Sequence, residues 1–197
     1  MDAAFWYTRQ YDAAGFKIDV VGRFSFNHGT SWGPLERITS LSSNVPKLSP
    51  QNGDPSRRPC DFPGRISSVF PGSGAYVVWG DGRDKGPAAN NGVDPNIYFA
   101  HVPIPTTTSA VVTKAGTTAR VAGAVVPKVP GGKVTATLYR KVSGKFAKVT
   151  SQAATLDAAG KYSLSFTRTA AGSCEFIVKF AGSTEYLTSS VTTAFAC

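Results

Sequence analysis

The 197-residue sequence predicts an all-β protein. Helix signals are poor, because Gly, Pro, Ser and Thr interrupt nearly every stretch and few segments place apolar residues at i, i+3 and i+4. Period-two alternation takes their place, at Val134, Ala136, Leu138; at Tyr162, Leu164, Phe166; and at Phe176, Val178, Phe180. Turn chemistry separates such runs: P-G-G at 130–132, S-G-K at 143–145 and D-A-A-G at 157–160. At 42 % apolar the chain can bury a core. No window approaches the roughly 18 apolar residues of a transmembrane helix, so no membrane span is expected.

The two halves differ in charge. Ten Lys and Arg against nine Asp and Glu leave residues 1–105 at +1, whereas eleven against three leave 106–197 at +8. All three tryptophans, Trp6, Trp32 and Trp79, lie in the first half. The break falls at the Pro- and Thr-rich P-I-P-T-T-T-S, residues 103–109, which favours extended linker. The expected organisation is one domain over 1–103, a linker at 104–108 and a second domain over 109–197. The basic second half predicts attraction to anionic surfaces such as acidic cell-wall polymers or glycans. Nucleic acid is not expected, since Lys141, Lys145, Lys148 and Lys161 are spread over strands and turns without an Arg–aromatic cluster.

In the second half, strands are predicted at 109–114, 117–126, 132–141, 144–150, 161–168, 173–180 and 188–197. Seven short strands in about 90 residues match the pattern of an immunoglobulin-like sandwich. If the last two form a hairpin whose paired positions sum to 371, Phe176 faces Phe195, Val178 faces Thr193 and Phe180 faces Val191. That register sets Cys174 opposite Cys197 and predicts a disulfide between them. A disulfide implies an oxidising compartment, hence a secreted protein, and leaves Cys60 without a partner in this chain. The stretches GKVTATLYRKVSGKFAKV, D-x-x-G-K-Y-S-x-S-F at 157–166 and AGSCEFIVKFAGSTEYLTSS ending in FAC resemble the immunoglobulin-like modules that end many secreted actinobacterial proteins. Such modules serve as spacers, anchors or glycan binders.

The first half turns on S-F-N-H-G-T-S-W, residues 25–32. A short polar side chain at Asn27 can cap a tight turn, Gly29 can adopt positive φ, and Trp32 can fold back onto apolar surface. Upstream, AFWYTRQ at 4–10 parallels AYVVWGDGRD at 75–84. Each pairs a β run with a Trp (Trp6, Trp79) and an Arg (Arg9, Arg83), then continues to a strand led by Asp19 or Asp94. With Ser25, Asn27, Gly29 and Trp32 fitting S-x-D-x-G-x-x-W, Asn standing for Asp, and Trp6, Trp79 and Asp81 marking the repeat, residues 5–103 resemble the Asp-box repeats of sialidase-like β-propellers. The resemblance implies one to two blades of a partial propeller, with the Asp-box residues structural and peripheral. A propeller needs at least about four blades. The chain is therefore expected to be the C-terminal portion of a longer secreted protein whose signal peptide lies upstream.

Sialidases of this family clamp the substrate carboxylate with three arginines and use a Tyr–Glu nucleophile pair and an Asp acid/base. Arg9 and Arg83 are the only catalytic candidates here, and bracing between blades is the preferred role for both. Glu36 is the sole Glu of this half, and Tyr7, Tyr11, Tyr76 and Tyr98 form no evident pair with it. The expected function is non-catalytic glycan or cell-surface binding; the alternative is a fragment of an exo-sialidase. The loop GDGRDKGPAANNGVDPN, 80–96, offers Asp81, Asp84, Asn90, Asn91 and Asp94, hard oxygen ligands that suit Ca²⁺. Their spacing is no EF-hand, a solvated loop is preferred, and no cofactor is required. Residues 46–64 read as a Pro-rich surface insertion. Incomplete blades would leave apolar faces and an open edge, so self-association is expected.

Overall fold

The computed structural model describes residues 1–44, 66–72, 74–85, 93–167 and 171–197. Every regular element in them is a strand, and the chain divides into two compact units, Met1–Ile104 and Pro105–Cys197. No described helix is long and apolar enough to cross a membrane.

The described strands of the first unit form two antiparallel sheets. One contains β1 (Asp2–Thr8), β2 (Lys17–Ser25) and β3 (Glu36–Arg37) in that order, with β4 (Ser43–Asn44) also paired to β2. The other runs β5 (Ser67–Val69), β6 (Ala75–Lys85), β7 (Val93–Val102). Strand alternation decides what each face buries. Ala3, Phe5 and Tyr7 of β1 and Val20 and Phe24 of β2 turn inward onto Ala75, Val77 and Trp79 of β6. The Phe5 and Phe24 rings meet edge to face, centroids 6.1 Å apart. Full burial of one such aromatic contributes roughly 1.5–3 kcal/mol. Gly22 is required here, since a Cβ would overlap the Phe5 ring.

In the second unit one sheet runs β13 (Lys161–Thr167), β10 (Thr118–Val126), β8 (Thr107–Thr108), with β9 (Val111–Ala115) also on β10. The other runs β12 (Lys145–Thr155), β11 (Lys133–Val142), β14 (Ser173–Phe180), β15 (Ser189–Ala196). A single core lies between them, with Val121, Val125 and Phe166 from the first sheet against Val134, Leu138, Phe176, Val178 and Phe180 from the second. The Phe166 and Phe176 rings, 4.8 Å apart, join the two sheets. Each expected turn forms. Gly131, Gly144 and Gly160 take φ of 76°, 85° and 73°, and Asp157 Oδ1 accepts from the N–H groups of Ala159 and Lys161 at 2.8 and 2.9 Å.

Two expectations need correction. Residues 107–108, read as linker, form β8, where Thr108 lies opposite Val125 and Thr107 opposite Val126. The β14–β15 register is displaced by two residues, with Cys174 opposite Phe195, Phe176 opposite Thr193, Val178 opposite Val191 and Phe180 opposite Ser189. A two-residue shift keeps every side chain on its face, so alternation alone does not distinguish the registers. The observed one pairs two β-branched valines. Phe176 and Phe195 still meet, diagonally, as stacked rings 5.1 Å apart. The Cys174–Cys197 disulfide also forms, with Cα atoms 5.6 Å apart. Cys197 lies just beyond β15, where its N–H donates to Gly172 O at 2.8 Å. Cys60 lies outside the described residues.

Candidate functional site

The turn after β2 is built by its own side chains. Ser25 Oγ, fully buried, accepts from Gly29 N–H at 2.8 Å and donates to Asn27 Oδ1 at 3.0 Å. Asn27 Oδ1 accepts from Ser31 N–H at 2.9 Å, and Asn27 Nδ2 donates to Ser31 Oγ at 2.8 Å. An aspartate could not make that last donation, so asparagine closes the turn reciprocally. His28 and Gly29 sit at positive φ, 55° and 79°, and Gly33 N–H returns to Phe24 O at 2.9 Å. Ser25, Asn27 and Gly29 are thus occupied structurally, while Trp32 emerges from the turn 39 % exposed.

Trp6 and Trp79 do not occupy equivalent places. Trp79 points inward and is 4 % exposed; Trp6, on the opposite face of its own sheet, is 39 % exposed. Strand parity explains this: in β1 it is Tyr7, next to Trp6, that turns into the core, and its hydroxyl donates to Gly80 O at 3.4 Å. Trp79 Nε1 donates to Asp81 Oδ2 at 2.9 Å. Asp81 is fully buried and also accepts from Arg83 N–H at 2.9 Å and Arg83 Nη2 at 2.5 Å. Burial pushes the Asp81 carboxyl up, but the hydrogen bonds from Arg83 and Trp79 outweigh it and hold the group below the usual carboxylate range. Arg83 also donates from Nη1 to Ser40 Oγ at 3.1 Å and lies over the Tyr98 ring, 4.4 Å from its guanidinium carbon, while its Nε is buried without a hydrogen-bond partner among the described residues.

Arg9 donates to Gly15 O at 3.1 Å, closing the β1–β2 loop. Arg83 is thus held by Asp81, while Arg9, exposed, makes one local hydrogen bond and no ion pair among the described residues. Asp84 accepts from Tyr98 Oη at 2.6 Å and Asn96 Nδ2 at 3.0 Å. The Tyr98 bond first, then Asn96, lowers its pKa. Asp81 and Asp84 thus belong to separate hydrogen-bonded groups. No cluster of three or more His, Cys, Asp or Glu suited to a metal occurs among the described residues. Asn90 and Asn91 lie outside the described residues, as do the Asp94 side chain and the insertion at 46–64.

One ion pair, between a buried aspartate and an exposed arginine, gave no motif-level signal. Asp19 accepts from Arg37 Nε and Nη2 at 3.0 and 2.7 Å and from Thr39 Oγ1 at 2.7 Å. The Arg37 guanidinium also covers the Tyr11 ring at 4.7 Å. Asp19 is the third residue of β2, which begins at Lys17 and not at the aspartate as expected, and its partner lies 18 residues on at no fixed spacing.

Described residues line two open concavities. In the first unit, Ala4, Trp6, Arg23 and Trp32 line a cleft of about 290 Å³. In the second, a groove of about 720 Å³ runs over the small side chains Ala122 and Ala124, between Ser109 and Val111 on one side and Thr155 on the other. It carries Arg120 and Lys161. Arg120 Nε donates to Ser163 Oγ at 2.6 Å, which leaves its terminal nitrogens free to meet an anion. Gly123 is needed because a Cβ would strike Ser109 O. That same carbonyl accepts from Tyr162 Oη at 2.6 Å, and burial pushes the Tyr162 phenol up to about 12, so it stays a neutral donor. The one carboxylate among the described residues lining the groove, Asp157, is turned to its own loop by the bonds to Ala159 and Lys161. The groove joins residues more than 50 positions apart, so no local pattern announces it.

Compared with protein-family models, curated proteins and solved structures, the chain matches none.

Proposed function

We propose that this chain is a secreted protein that attaches to anionic polymers of a cell surface and is non-catalytic in itself. Its second unit would be an immunoglobulin-like sandwich and its first one to two blades of a sialidase-like propeller. The observation that carries the proposal is the groove of the second unit. In a unit of net charge +8, Arg120 and Lys161 lie on one outer sheet face about four residues apart in register, Arg120 opposite Ser165 and Lys161 opposite Ala124. At the rise of a β-strand that is roughly 13 Å. A floor of alanines between two cations suits an extended acidic chain, and guanidinium meets carboxylate or phosphate in bidentate fashion. The disulfide supports an oxidising compartment. The exo-sialidase alternative has less support, since Arg83 is ion-paired to Asp81 and bonded to Ser40 and Arg9 lies exposed against its own loop.

The test is binding to polygalacturonate, with neutral dextran as control. Binding at low salt is expected to weaken steeply as ionic strength rises. Replacing both cations, Arg120→Gln with Lys161→Gln, should weaken it about tenfold, equivalent to roughly 1.4 kcal/mol. Equal binding to dextran, or an unchanged affinity in the double variant, would refute the assignment.

The outer face of β5–β7 supports self-association. Val69, Ile97 and Phe99 are between 60 and 77 % exposed, and Tyr76 stacks on Phe99 at 5.7 Å and lies tilted against His101 at 4.7 Å between centroids. A contiguous apolar patch of this kind favours a second copy over water. Sedimentation is expected to show concentration-dependent association, abolished by Ile97→Lys with Phe99→Lys. A monodisperse wild-type monomer would contradict it.

A further inference from the structure

The cleft of the first unit has a different chemistry from the groove. Three separate placements make it. Trp6 projects from β1 on the face opposite the core. Arg23 projects from β2 on that face, where Ala4 is its cross-strand neighbour and, having only a methyl group, leaves space above the sheet. Trp32 is delivered by the Ser25–Ser31 turn, whose bonds fix where it leaves the strand.

Two facts separate this cleft from ordinary surface. Tryptophan is highly buried on average, yet both indoles here are 39 % exposed. Among the described residues they make no ring contact with each other. Arg23 is the second fact. Arg9, Arg37 and Arg83 each spend their guanidinium on a carbonyl or carboxylate of the first unit. Arg23 is exposed and has no hydrogen bond or ion pair among the described residues. An uncompensated guanidinium thus stands beside two open aromatic surfaces.

We propose that Trp6, Arg23 and Trp32 bind a single pyranose ring bearing a carboxylate, an acid sugar of the hexuronic kind. The apolar C–H face of a pyranose packs on an indole, while a guanidinium takes a carboxylate through two parallel hydrogen bonds. About 290 Å³ lies at the lower end of the range for ligand pockets and holds one ring, not an extended chain. A neutral sugar would use the indoles and leave Arg23 unpaired. The acidic one uses all three residues. This site depends on neither Arg120 nor Lys161, so it stands or falls apart from the groove.

The three tryptophan indole N–H resonances provide the readout. Trp79, buried and bonded to Asp81, is an internal control for folding. Titration with methyl β-D-glucuronide is expected to shift the Trp6 and Trp32 resonances saturably and leave Trp79 in place. Methyl β-D-glucoside should bind at least tenfold more weakly. Arg23→Gln should remove the preference for the acid while the Trp79 resonance stays at its native position. The Arg120→Gln, Lys161→Gln double variant should titrate like wild type. The assignment is overturned if neither exposed indole responds, if acid and neutral sugars bind alike, or if Arg23→Gln keeps the preference.

Discussion

Removing the Cys174–Cys197 bond, as Cys174→Ala with Cys197→Ala, is expected to destabilise the second unit by about 3 kcal/mol. The half-cystines are 23 residues apart, and opening that loop restores conformational freedom to the unfolded chain. A change of this size in a domain of this length lowers the melting temperature by roughly 10–20 °C. The loss should be local at first. β15 is an edge strand, held on one side only by β14, and half its residues face solvent. Without the bond at its C-terminal end, amide exchange in β15 should accelerate before that of β11 or β14. Calorimetry with the first unit's transition as reference would measure the cost. Reduction of wild type should reproduce the variant. A shift under about 2 °C, against the size expected from loop closure, would show that packing of Phe195 and Val191 already holds the strand.

The same hairpin shows how far sequence reading reaches. Alternation located β14 and β15 and set which face each residue occupies, because side-chain period is a local property. It left the register open by two residues, because sliding a strand by two changes no face. The turn at 25–32 was legible for a related reason: every side-chain bond that builds it joins residues within four positions. Trp6 and Trp79 show the opposite case. Similar flanking residues suggested equal roles, but strand parity put one on the surface and the other in the core. Arg23 sits amid V-V-G-R-F, where four neighbours are buried, and that interruption was a signal of an outward cation. The groove had no such signal. Its cations lie on strands paired across more than 40 residues, and what makes them a site is the absence of bulk at Ala122 and Ala124 between them.

Asp81→Asn is expected to destabilise the first unit by about 3 kcal/mol at neutral pH. The carboxylate is fully buried and holds three donors: the Trp79 indole, the Arg83 backbone N–H and the Arg83 guanidinium. Asparagine can still accept one of the neutral bonds, but it removes the charge opposite an arginine side chain that is only 13 % exposed. Asp84, near enough to favour the charged guanidinium, offsets part of the loss and keeps the figure at the lower end of that for a broken buried pair. The pH dependence gives a second, independent reading. The Asp81 pKa is lowered on folding, so its ionised form contributes stability above the unfolded value, about 3.9, and the contribution is lost as pH falls through the folded value. Wild type then approaches the variant, because a protonated Asp81 also leaves Arg83 without a counter-charge. Urea unfolding followed by tryptophan emission isolates this unit, since all three tryptophans lie in it. The gap between wild type and Asp81→Asn should be wide at pH 7 and narrow progressively below about pH 4. A gap of the same width at pH 3 would mean that shape and hydrogen bonding, not charge, make Asp81 necessary. The Asp81–Arg83 brace would then be an ordinary polar contact, and Arg83 would again have a charge to offer a ligand.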